Sequence, residues 1–247
     1  ADLTEIRRDI HAHPELAYKE DRTSAVVAAK LSEYGCEVHR GLGGTGVVGT
    51  LRRGNSPRAI GLRADMDALP IEEKNTFAHV SKHVGQMHAC GHDGHTTILL
   101  GAARYLAETR NFEGAVHFIF QPAEEGGAGG KRMVEEGLFE KFPCDVVFAM
   151  HNKPGIPLGH MGVKAGPMLA SSDTFEIKVK GRGGHAAHPH LSIDPFVIGA
   201  QIVLALQTIS SRNVDPLDSV VVSIGRMQAG TTSNVIPDDL SILGTVR

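Results

Sequence analysis

The stretch GAVHFIFQPAEEGGAGG, residues 114–130, sets the fold class of this chain. Its first half is an unbroken apolar run the length of one strand, and Pro122 stops it. A strand without polar alternation needs cover on both faces, which points to a sheet lying between helices. Two other segments read the same way, RAIGLRA (58–64) and DVVFAMH (145–151). Residues 95–109 (HTTILLGAARYLAET) have the spacing of an amphipathic helix, and 131–137 predict a short one. Upstream, residues 19–34 also carry apolar side chains at helical spacing, with Gly35 placed just past the helix end. The segment GVVGTLRR (46–53), separated from 58–64 by the turn GNSP, reads as the other arm of a hairpin. The expected fold class is α/β, a mostly parallel sheet with helices on both faces.

The texture changes after about residue 163. DTFEIKVKG (173–181) alternates apolar and polar, as a half-exposed strand does. A helix over 194–210 and strands over 219–227 and 240–246 follow, which together predict a small α+β lid or dimerisation domain. The Gly/Pro-rich KAGPM (164–168) marks the boundary, giving domains at 1–165 and 166–247. The last strand stops at Arg247 with no visible closing element, so an incomplete second domain with an unpaired sheet edge is expected.

Composition narrows the function classes. The 247 residues are 41% hydrophobic, and 25 Lys+Arg against 28 Asp+Glu leave a net charge of −3, with no electrostatic case for nucleic acid or anionic membrane. No apolar run approaches the roughly 20 residues of a spanning helix. The first residues, ADLTEIRRDIHAHPE, hold no stretch of signal-peptide type. Three scattered cysteines (Cys36, Cys90, Cys144) form no disulfide framework, which favours the cytoplasm. The outlier is histidine: of 14, six fall between His79 and His117.

In open α/β sheets, ligands bind outside the carboxyl ends of the strands. Asp65 and Asp67 follow the strand at 58–64, Glu124 and Glu125 follow the strand at 114–121, and His151 closes the strand at 145–150. A fourth group, Cys90-Gly-His92-Asp93-Gly-His95, precedes a helix. A thiolate, imidazoles and carboxylates converging on one edge suit zinc, manganese, cobalt or nickel, whereas calcium and magnesium prefer oxygen alone. Taken singly, each has a plainer reading: a lone cysteine before a helix is usually a small buried residue, and adjacent glutamates usually form a solvated face. The chain has no HExxH, no zinc-deaminase pattern and no GxSxG elbow. EGGAGGKR (125–132) fails as a phosphate loop, because Glu125 and Arg132 stand where glycine and Ser/Thr are required.

The motifs RRDIHAHPEL (7–16), GLRADMDALPI (61–71), MHACGHDGH (87–95), FQPAEEGGAGG (120–130), AMHN (149–152), GRGGHAAHP (181–189) and TTSNVIPD (231–238) resemble the aminoacylase/carboxypeptidase metallopeptidases. Within them the chain is similar to the branch of hippurate hydrolases, N-acyl-amino-acid amidohydrolases and indole-acetyl-amino-acid hydrolases. The resemblance implies a metal-dependent amidohydrolase acting on N-acyl amino acids or similar small conjugates. It implies that Cys90, His92, Glu125 and His151 hold two divalent metal ions, that Glu124 is the general base, and that Asp67 orients a ligand. It also implies a homodimer in which His185 serves the partner subunit's site, and substrate binding by Asn234 and Arg247. For Arg247 a solvated strand-end charge is an equal reading, and His188 and His190 read as exposed loop histidines. Two departures stand out. The late histidine that completes the metal site in the family has no counterpart in these 247 residues, and Lys153 stands where relatives often carry an aromatic residue. The alternative function is therefore a non-catalytic binding or dimerisation fragment; a structural zinc site fits poorly with the adjacent carboxylates.

Overall fold

The computed structural model describes residues 2–247. The chain divides into two compact units, residues 1–155 and 156–247, the division falling ahead of the Gly/Pro-rich stretch 164–168.

The first unit opens with α1 (Asp2–Ala12) and α2 (Asp21–Glu33), followed by β1 (Glu37–Leu42), β2 (Gly46–Arg53) and β3 (Ala59–Asp65). Then come α3 (His92–Thr109), β4 (Gly114–Gln121), α4 (Gly129–Glu135), α5 (Leu138–Lys141) and β5 (Val146–Ala149). The five strands form one mixed sheet in the order β1-β2-β4-β3-β5. β4, β3 and β5 run parallel, while β1, β2 and β4 pair antiparallel. The expected hairpin between 46–53 and 58–64 is not formed. β4 lies between those two segments and bonds to both, because its unbroken apolar run can be covered on both faces only at an interior position.

The period-2 alternation of strand side chains sorts the core into two layers. Val47, Leu51, Val116, Phe118 and Phe120 pack with Val27, Leu31, Leu99, Leu100 and Ala103 of α2 and α3. Val48 and Ile119 point the other way, against Met133 and Leu138 of α4 and α5. Helices thus cover both faces, and Phe118 and Phe120 are fully buried, each contributing roughly 1.5–3 kcal/mol. β5 departs from the expected double cover. It is an edge strand bonded only to β3, and Val146, Val147 and Phe148 are exposed.

The second unit contains β6 (Asp173–Lys180), β7 (Gly184–His185), α6 (Pro195–Thr208), β8 (Val222–Gln228), β9 (Val235–Ile236) and β10 (Asp239–Val246). Asp194 caps α6 by accepting the Phe196 N–H at 2.8 Å, and Pro195 supplies the fixed φ suited to the first helical position. The three-stranded sheet runs β6-β10-β8, so the strand that ends the sequence is central, hydrogen-bonded on both sides. The last strand is therefore not an edge; the open edges of this sheet are β6 and β8, each paired with β10 alone among the described strands. Val179, Leu240 and Ile242 form a small core with Ile198 and Ile202 of α6.

Candidate metal centre

The three parallel strands deliver their carboxyl ends to one edge of the sheet. β3 leads into Asp65-Met66-Asp67, β4 into Pro122-Ala123-Glu124-Glu125, and β5 into Met150-His151-Asn152. The amino end of α3 arrives at the same edge through Cys90-Gly91-His92. Gly91 is required there by its backbone: φ is +87°, and a Cβ would lie 2.6 Å from the Asn152 side-chain oxygen. Gly91→Ala should therefore cost at least about 1–2 kcal/mol from the left-handed backbone alone. Urea unfolding read beside cobalt titration should show both stability and metal affinity falling, and an unchanged pair of values would contradict this geometry.

His92 is the hub. It is fully buried, yet neither ring nitrogen makes a well-aligned hydrogen bond. Nδ1 lies 3.3 Å from Asp67 Oδ1. Nε2 faces carboxylates, with Asp65 Oδ2 at 3.6 Å, Glu125 Oε1 at 3.9 Å and Glu124 Oε2 at 4.0 Å. On another side, Cys90 Sγ and His151 Nε2 are 3.4 Å apart. Ligand atoms of Cys90, His92 and His151 lie within 4.8 Å of one another, as do those of His92, Glu124 and Glu125. Donors around one tetrahedral zinc sit about 3.3–3.8 Å apart, given bond lengths near 2.0–2.3 Å, so small side-chain movements would close either set on a cation.

The electrostatics match. Burial first, and then the Glu125, Glu124 and Asp65 carboxylates, together push the Cys90 thiol up to about 12. Burial also raises Glu124, as do its neighbours Glu125 and Asp65. Burial disfavours charge on His92, but Asp67 and Asp65 outweigh that and raise it. The Cys90 thiol and the Glu124 carboxyl both resist ionisation beside a buried imidazole, a site short of positive charge, which a divalent cation would supply.

Asp67 works on the backbone. Its Oδ1 accepts the Glu124 N–H at 3.0 Å and its Oδ2 the Glu125 N–H at 2.9 Å. Burial alone would raise its pKa, but His92 and those two amides hold it below the ordinary carboxylate range. The turn they brace is strained: Ala123, fully buried, has φ +51°, a conformation costing about 1–2 kcal/mol outside glycine.

Asp65 and His95, both candidate ligands by sequence, are occupied otherwise. Asp65 Oδ1 bonds His95 Nδ1 at 2.7 Å, and its Oδ2 accepts from Arg63 Nη1 at 2.7 Å. His95 Nε2 then meets Asn152 twice, its side-chain oxygen at 2.5 Å and its backbone nitrogen at 3.0 Å. This chain fixes the segment carrying His151 to the start of α3. Asp93 likewise turns away, toward His11 Nδ1 (2.9 Å) and Arg7 Nε (3.0 Å). Asn152 had no signal in the sequence beyond its adjacency to His151.

In the second unit, β7 and β9 pair His185 with Val235, and the Ala186 N–H donates to the Asn234 carbonyl at 3.0 Å. His185 and Asn234 are therefore neighbours. His185 is exposed and accepts the Ala187 N–H through Nδ1 at 3.1 Å, which leaves its proton on Nε2. Arg247 is placed elsewhere, at the far end of β10, where it bonds Val221 and Ser172. Lys153 is exposed.

Residues 61–243 match the model of peptidase family M20/M25/M40. A hippurate hydrolase of Campylobacter jejuni is 52% identical over 246 residues, 100% of this chain and 64% of the relative. An N-acetyl-L-cysteine deacetylase of Bacillus subtilis is 46% identical over 99% of this chain and 59% of its own length. This chain thus spans about three fifths of the curated relatives it matches. Among solved structures, a dinuclear metal-binding peptidase of the M20 family from Bacillus subtilis superposes with a TM-score of 0.78 at 42% identity, covering 100% of this chain and 63% of that one. A putative aminohydrolase from methicillin-resistant Staphylococcus aureus gives 0.87 at 38% identity, over 99% and 65%.

Proposed function

The chain belongs to peptidase family M20/M25/M40, and from that premise we propose that it is the larger part of a two-metal amidohydrolase. The reaction is hydrolysis of the amide bond of an N-acyl amino acid or a similar small conjugate of the hippurate type. The observation that carries this reading is buried His92, with no well-aligned hydrogen bond on either nitrogen, ringed by Cys90, His151, Glu124 and Glu125.

In this proposal Cys90, His92, Glu125 and His151 hold two divalent ions, with zinc, manganese, cobalt and nickel all compatible with that donor set. When bound, the ions supply Lewis acidity and make water a nucleophile at neutral pH. Glu124, which is not spent on a ligand bond, takes a proton from the attacking water and delivers it to the leaving nitrogen. Asp67 keeps Glu124 and Glu125 in register through their amides and orients His92. His185, with its exposed Nε2–H, donates to the developing oxyanion of a neighbouring subunit's substrate in a homodimer, a contribution of roughly 3–4 kcal/mol to the barrier. Asn234, its neighbour across β7 and β9, binds substrate beside it. Arg247 is proposed to reach substrate from the other end of β10. The free cysteines support a cytoplasmic enzyme; among the described residues no helix is long and apolar enough to cross a membrane.

The test is hydrolysis of hippurate and N-acetyl amino acids by the full-length protein. Chelation should abolish turnover, and zinc, manganese, cobalt or nickel should restore it. Turnover that survives removal of all metal would sink the proposal, and metal-loaded protein without turnover would favour a binding module.

A further inference from the structure

The Glu124–Glu125 turn is held from a second side by a residue outside every motif considered so far. Glu20, at the start of α2, is fully buried. Its Oε1 accepts the backbone N–H of Ala123 at 2.9 Å and of Tyr18 at 3.1 Å, and its Oε2 accepts the Thr45 hydroxyl at 2.5 Å. Both residues whose amides converge on Oε1 are non-glycine residues in the left-handed region, Tyr18 at φ +62° and Ala123 at +51°. The Tyr18 hydroxyl then bonds the Gly127 carbonyl across the same loop.

With Asp67, this makes a clamp on three successive amides. Ala123 N–H is on Glu20, and Glu124 and Glu125 N–H are on the two oxygens of Asp67. Asp67 alone would fix the direction of the two glutamates but not the point where the chain leaves β4. That point is Ala123, and the loop folds back on it closely enough that a Cβ at Gly127 would lie 2.6 Å from the Ala123 Cβ and 3.0 Å from its carbonyl oxygen.

We propose that Glu20 is a positioning residue for the Glu124–Glu125 pair, acting through the Ala123 amide rather than through its charge. The inference rests on the metal-centre reading above. Its partners are two backbone N–H groups and a hydroxyl, with no cation among them, so an accepting oxygen at the same reach serves them without a charge; burial raises the carboxyl in the same sense. Reach is what matters.

Two substitutions separate reach from charge. Glu20→Gln keeps the length and the accepting oxygen, and Glu20→Asp keeps the charge but withdraws the oxygen by one methylene. In the full-length protein, Glu20→Gln should bind cobalt within about twofold of wild type, while Glu20→Asp binds at least about tenfold more weakly, the low end for loss of a ligand's supporting partner. Cobalt-loaded Glu20→Asp should lose at least about tenfold in kcat with KM little changed. Amide exchange of residues 123–128 should quicken at least about tenfold in Glu20→Asp alone, with 92–109 and 114–121 as in wild type. An Asp variant matching wild type, or a Gln variant as weak as Asp, overturns the assignment. Should the Asp variant fail to fold, the Gln variant decides: wild-type exchange and cobalt affinity there are required, and their loss overturns it. Wild-type protein that takes up no cobalt would instead refute the metal centre, while the exchange contrast still reports on the clamp.

Discussion

Glu124→Gln should lower kcat for hippurate by at least about 100-fold in the full-length protein while bound metal stays at the wild-type level, the low end for removing a general base. Gln conserves the size and the backbone N–H that Asp67 holds, so the turn keeps its shape. What disappears is the basic oxygen. That oxygen belongs to the more exposed member of the pair, with its side chain 43% accessible against 24% for Glu125. Glu124 is thus free to meet water, and burial beside two other carboxylates moves its pKa toward the range useful for a base near neutrality. Glu125→Gln should differ in kind, losing metal first and turnover as a consequence. Metal analysis beside steady-state kinetics separates the two. Near-normal turnover in Glu124→Gln would take Glu124 out of the mechanism, and equal metal loss in both variants would make the pair ligands alike.

Metal affinity should also rise steeply with pH, about tenfold per unit between pH 7.5 and 9, or some 30-fold across that window. The sign follows from Cys90. Burial and three nearby carboxylates push its thiol up to about 12, so in the metal-free protein it keeps its proton throughout the window. A metal needs the thiolate and must displace that proton, and each unit of pH makes the displacement tenfold easier. His92, raised by Asp67 and Asp65, acts in the same direction, since a metal needs its neutral imidazole. Cobalt titrations followed by the thiolate charge-transfer band, repeated in buffers of different ionisation enthalpy, measure the slope and the protons released. Cys90→Ser should weaken binding and flatten the slope. A wild-type slope near zero would place Cys90 outside the metal's ligands and make it a buried structural thiol.

The local elements were largely legible because their signals are local. An unbroken apolar run ended by proline could be little other than an interior strand, and β4 is one. The Asp194-Pro195 start of α6 announces itself in two residues. Strand order was less accessible. The turn GNSP favours a hairpin by its own chemistry, yet β4, about 60 residues further on, separates the two arms because only an interior slot covers both of its faces.

The site divides in the same way. The sequence by itself determined that carboxylates, imidazoles and a thiol fall at strand ends, since strand ends are read from periodicity and stop signals. Apart from the family resemblance, residue type and position did not rank them. Asp65, His92 and His95 look equivalent as letters, but Asp65 and His95 satisfy each other and His92 is left facing carboxylates. Glu20 gave no signal, because a glutamate at the start of a helix is ordinarily a solvated one. Whether a polar group is free to bind, spent on a neighbour or bracing a backbone turn depends on what lies within about 3 Å of it. For these residues those neighbours come from segments far away in sequence, so only the tertiary structure decides.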